Sequence, residues 1–157
     1  MIYVGLAIVA LGAGVLLYDY TASLRRTKDS YKQICLFLAY LRGEIEGSGK
    51  PLDEITREYF DNRGSELSLI SGAFLPLPRG TDFSSLSIHH DDRERMRSYF
   101  ECFGSALSKD EELRRLNTLI SPIEQKRDEV CERTDKRIKS FYLIYAATLL
   151  SAILLIA

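Results

Sequence analysis

The chain divides first by polarity. No charged side chain occurs from Met1 to Tyr18, and none from Phe141 to Ala157. All of the 21 basic and 22 acidic residues fall between Asp19 and Lys139. An ordinary soluble domain spreads its charge along its length, so this distribution needs a cause. As a helix, Met1–Tyr18 is about 27 Å long at ~1.5 Å per residue, close to the ~30 Å hydrocarbon core of a bilayer. Phe141–Ala157 is at the short end of the spanning range and is apolar on every side rather than along one stripe. Gly5, Gly12 and Gly14 suit close helix approach in lipid, and Tyr18, Tyr20, Tyr142 and Tyr145 fall where interfacial aromatics sit. The pattern predicts an all-α protein. Transmembrane helices are expected over residues 1–20 and 141–157, flanking a helical-bundle domain over 21–140.

Within the middle domain the apolar positions keep helical spacing. Tyr31, Ile34, Cys35, Leu38, Leu41 and Ile45 form one face of a helix that continues from the first apolar segment. Gly47-Ser48-Gly49 ends it, and Pro51 suits the first position of a helix carrying Leu52, Ile55, Tyr59 and Phe60 as far as Gly64. Leu67–Phe74 reads as a short helix. Leu75–Asp82, with two prolines and a glycine, reads as a loop that runs through Ser84 and Ser85. Asp91 with Glu94 resembles a capping box for a helix with the stripe Met96, Phe100, Phe103 and Leu107. Ser108 with Glu111 resembles a second box, placing a turn near Ala106–Lys109. The last helix shows Leu113, Leu116, Ile120, Ile123, Val130, Thr134 and Ile138, a near-heptad seam that Arg127 interrupts and Pro122 should kink.

Charge then sets orientation and narrows function. Arg25, Arg26, Lys28 and Lys32 follow the first apolar segment, and Arg133, Lys136, Arg137 and Lys139 precede the second. The positive-inside rule places the middle domain in the cytoplasm, and the basic collars suit anionic lipid headgroups. Basic residues after the apolar run, with none before it, argue against a cleaved signal peptide. The net charge of -1 gives no electrostatic reason to expect nucleic acid. The three cysteines, Cys35, Cys102 and Cys131, form no CxxC pair and read as free thiols in a reducing compartment. His89-His90-Asp91-Asp92 is the one metal-like cluster, but neighbours on a helix point about 100° apart and do not converge on an ion. No GxxxxGK[ST], GxGxxG or GxSxG motif is present. No catalytic residue, cofactor, metal or small-molecule substrate is expected, and the chain reads as a non-enzyme.

Two local segments carry a family resemblance. One is Glu44-Ile45 followed six residues later by Pro51-Leu52-Asp53-Glu54; the other is Phe103-Gly104-Ser105-Ala106-Leu107 followed by Ser108-Lys109-Asp110. With the overall layout, they resemble the stage III sporulation protein AB family of endospore-forming bacteria. Gly47 stands where that family commonly has an aromatic. The resemblance implies a non-catalytic component of the channel complex between mother cell and forespore. The role is similar to that of the platform proteins of type II secretion and type IV pilus machines. The implied partners are other membrane components of the complex and a hexameric ATPase, with the chain in the mother-cell membrane. The alternative is a membrane-anchored sensor or regulator whose helical domain binds a cytoplasmic signalling partner. In either case long charged side chains near turns are the candidate contacts: Glu44, Glu54, Arg114, Arg115, Lys126 and Arg127.

Overall fold

The computed structural model describes residues 2–63, 68–74, 83–104 and 108–154, with side chains over 11–62, 69–74, 83–104 and 108–151. The elements are α1 (Ile2–Gly47), α2 (Leu52–Arg63), α3 (Ser68–Phe74), a 3-10 turn (Phe83–Ser85), α4 (His90–Glu101) and α5 (Lys109–Leu154). No strand occurs among the described residues, so the protein is all-α.

Helix α1 stops where its sequence changes. Ser48 N and Gly49 N both donate to Glu44 O, at 2.8 and 3.3 Å, and Gly49 takes a φ of +62° that side chains disfavour. Helix α2 begins at Leu52, one residue past Pro51, whose carbonyl accepts from Glu54 N and Ile55 N at 3.1 Å each. The predicted stripes are buried: Tyr31, Ile34, Cys35, Leu38, Leu41 and Ile45 on α1, and Leu52, Ile55, Tyr59 and Phe60 on α2. On α5, Leu116, Leu119 and Ile123 are buried, while Leu113, Ile120 and Val130 pack at the core margin.

The centre of the core is aromatic. The Phe37 ring lies 4.7 Å from Phe74, 5.2 Å from Tyr59, 5.6 Å from Phe60 and 6.4 Å from Phe100, measured between centroids. Phe83 closes the cluster at 5.1 Å from Phe74 and 5.8 Å from Phe100. One side chain of α1 thereby gathers α2, α3 and α4, and those three short helices form a head on the long pair α1–α5. That pair is antiparallel. Tyr20 meets Phe141 with ring centroids 5.0 Å apart, Lys28 Nζ lies 2.6 Å from Asp135 Oδ1, and Lys109 Nζ donates to the Glu46 carbonyl at the opposite end. Between head and apolar ends the two helices run as a polar stalk.

Two expectations need correction. Ser84 and Ser85 belong to the 3-10 turn rather than a loop, and the segment around them places Phe83, Leu86 and Ile88 in the core. Helix α4 does not start with an Asp91–Glu94 box: its N-cap is His89, with no side-chain cap. Asp92 has turned inward, and Glu94 pairs with Arg97 at 2.8 Å. The His89 N–H is instead taken by the Tyr31 hydroxyl of α1, at 3.1 Å. Pro122, where the sequence predicts a kink, lies inside α5, which is helical from Lys109 to Leu154. The second box does form on its serine side, with Ser108 Oγ accepting from Glu111 N at 3.2 Å. The rest of the predicted turn, Ala106 and Leu107, and the proline-rich stretch 75–82 lie outside the described residues.

Among the described residues no helix is long and apolar enough to cross a membrane. Described side chains cover 11–18 of the first apolar stretch and 141–151 of the second. Within them Leu11, Val15, Leu16, Tyr18, Leu143, Ile144 and Leu150 are exposed.

Candidate functional site

The six charged residues singled out in the sequence fall at three places. Glu44 and Glu54 lie at the distal tip of the head, around the α1–α2 turn, where Glu44 accepts from Ser48 Oγ at 2.7 Å. Arg114 and Arg115 are exposed near the start of α5, with Arg115 paired to Glu111 at 2.6 Å. Lys126 and Arg127 lie about 18 Å further along α5 at ~1.5 Å per residue, half-buried, beside Glu129 and Asp128. Arg127 also reaches Cys35 on α1.

The metal-like quartet is divided. His89, His90 and Asp91 face solvent, while Asp92 is buried and accepts from Tyr31 Oη at 2.6 Å. Arg95 adds a contact to Asp92 at 3.3 Å. Burial, reinforced by the bond to Asp92, pushes the Tyr31 phenol well above its ordinary range. Among the described residues no three His, Cys, Asp or Glu side chains are placed to hold a metal.

A groove of about 990 Å³ opens between α4 and α5. Glu94, Arg95, Ser98, Tyr99 and Cys102 line it from α4 and the residue that follows, and Glu112, Arg115, Thr118, Leu119 and Pro122 from α5. Its floor holds a buried carboxylate. Glu112 is 7% exposed, and neither of its oxygens has a hydrogen-bond partner. Tyr99 faces it, and its hydroxyl lies against the Glu112 carboxylate without completing a well-formed hydrogen bond. Burial first, and the Glu112 charge second, push the Tyr99 phenol above its ordinary range. The sequence reading did not single out Glu112, which directly follows the Ser108–Glu111 box in an acidic run. The overlooked signal is spacing: Glu112 shares the buried face of Leu116, Leu119 and Ile123.

The stalk is clamped near its apolar end. Lys28 Nζ donates to Asp135 and holds that carboxyl below the usual aspartate range. A depressed native pKa contributes stability above the unfolded pKa and loses it as pH falls through the native value. Asp135→Asn should therefore make the stalk less sensitive to acid, read as a smaller change in amide exchange of α1 around Lys28 between neutral and acidic pH.

The thiols differ sharply. Burial pushes Cys35 up to about 11, whereas Cys102 is exposed on the groove wall. At neutral pH a small alkylating reagent should modify Cys102 first and Cys35 only on unfolding. Peptide-resolved mass spectrometry reads both rates, and equal rates would contradict this placement.

No family model matches this chain, and no curated protein or solved structure matches it either.

Proposed function

We propose that this chain is a non-catalytic membrane component that holds its helical head in the cytoplasm as a binding platform. The observation that carries the reading is the placement of the two apolar ends. Because α1 and α5 are antiparallel, Leu11, Val15, Leu16 and Tyr18 share one end of the molecule with Leu143, Ile144 and Leu150, all exposed. Exposed apolar side chains gathered in this way mark a surface that water does not normally cover. The basic residues of both collars follow immediately on the head side, the order expected at a cytoplasmic membrane face. Gly14 supports pairing of the two ends: a Cβ there would stand 3.1 Å from Tyr145 Oη, so glycine admits the close approach.

The sporulation-channel role, beside an assembly ATPase, is the form of this reading that the Glu44–Glu54 and Phe103–Asp110 segments favour. A membrane-anchored regulator is the second form, favoured by the α4–α5 groove, whose size suits a specific ligand or peptide.

The test uses Cys102, which the fold already exposes on the head. The chain should remain in the membrane pellet after carbonate washing. A membrane-impermeant maleimide applied to intact cells should leave Cys102 unmodified until the cells are lysed. Release by carbonate would remove the membrane reading, and labelling without lysis would invert the topology. In a spore-forming host, deletion should block spore maturation; normal spores would leave the regulator form ahead.

A further inference from the structure

We propose that the α4–α5 groove is a docking site for an arginine side chain presented by a partner protein. The proposal rests on the platform reading and names what the platform grips. Its basis is the unbalanced carboxylate. A buried carboxylate short of donors is costly, and Glu112 has at most the Tyr99 hydroxyl for its two oxygens. The α5 dipole eases its charge but gives neither oxygen a donor. Tyr99 has a single hydroxyl hydrogen, so even a closed Tyr99–Glu112 bond leaves one oxygen open.

The neighbouring cations are held by other acids. Arg95 contacts Asp92 at 3.3 Å, Arg97 contacts Glu94 at 2.8 Å, and Arg115 contacts Glu111 at 2.6 Å. Glu112 is the lining carboxylate that pairs with none of these arginines.

The shape of the site selects among cations. Two adjacent carboxylate oxygens match the two parallel N–H groups of a guanidinium. The Tyr99 ring lines the groove beside that carboxylate, and aromatic rings suit a planar guanidinium better than a compact ammonium. Leu119 and Pro122 line the same groove and can cover the aliphatic stem. Both oxygens lie at the floor, so the ligand must reach in past the rim, which a long stem permits. A volume of about 990 Å³ exceeds one side chain and leaves room for flanking apolar residues on a partner helix.

Cys102, exposed and on the groove wall, is a built-in reporter. The full chain in zwitterionic detergent is mixed with a short amphipathic helical peptide bearing one arginine among leucines, or with its twin bearing uncharged citrulline. The arginine peptide should slow Cys102 alkylation. The citrulline peptide should need a roughly tenfold higher concentration, the loss expected for a charge-assisted hydrogen bond. Glu112→Gln should erase the difference between the two peptides. Equal protection by both peptides, no protection by either, or a difference that survives Glu112→Gln would each overturn the proposal. If Glu112→Gln loses its helical circular dichroism, Thr118→Trp replaces it. That substitution fills the groove from an exposed wall position and should abolish protection by the arginine peptide; persistent protection would again overturn the site. Carbonate extraction of the same variants reads membrane attachment separately, so a failed groove is distinguishable from a failed platform.

Discussion

Phe37→Ala should destabilise the head by about 3–5 kcal/mol, the range for removing a fully buried phenylalanine. Phe37 is 0% exposed and touches rings from three other helices. Its loss empties the space where α2, α3 and α4 meet α1, and short helices cannot close such a void without losing their own contacts. Urea denaturation of the full chain in detergent, followed by helical circular dichroism, measures the change. A shift below about 1 kcal/mol, typical of peripheral sites, would mean that the head is not organised around this ring. Leu36, next to it and 53% exposed, is the control, and Leu36→Ala should leave the transition nearly unmoved.

Tyr31→Phe should cost about 1–3 kcal/mol, toward the upper end because the acceptor it abandons is charged. Tyr31 Oη donates to Asp92 at 2.6 Å and accepts from His89 N at 3.1 Å, so one hydroxyl ties α1 to the start of α4. Phenylalanine keeps the packing. It strands an N–H and leaves a carboxylate that is 3% exposed with Arg95 as its remaining contact. Removing both partners is cheaper than removing one, so Asp92→Leu added to Tyr31→Phe should recover part of the loss. Amide exchange at the start of α4 should rise in the single variant. A double variant that is simply the sum of its parts would show that the two groups act independently.

The sequence carried the helices far better than it carried their meeting points. The six-residue stripe from Tyr31 to Ile45 is local information, written at spacings of three and four, and all six side chains are buried. Phe37 lies off that stripe beside Leu38, and it becomes central only because α2 and α3 cover a second face of α1. Phe83, Leu86 and Ile88 follow no helical period, and their burial depends on where the chain leads after a stretch rich in proline. Asp92 stood out in the sequence only as a member of the metal-like quartet; Tyr31, distant in sequence, draws it inward. The groove was illegible for the same reason, since its two walls belong to separate helices. Of the six charged candidates, Arg115 lies on its wall, while Glu44 and Glu54 sit at the head's tip.

Helix α5 has a mechanical consequence for how the two ends of the molecule communicate. Glu112 and Leu143 stand on the same unbroken rod, about 45 Å apart at ~1.5 Å per residue. A torque applied at one is delivered to the other, save at Pro122. Proline brings no N–H, so the Thr118 carbonyl has no helical donor there, and the rod is softened against bending at that level. The joint lies on the groove wall itself, above the stalk clamp of Lys28 with Asp135. Bending at Pro122 would therefore be felt at the α4–α5 groove before it reached the Lys28–Asp135 pair of the stalk.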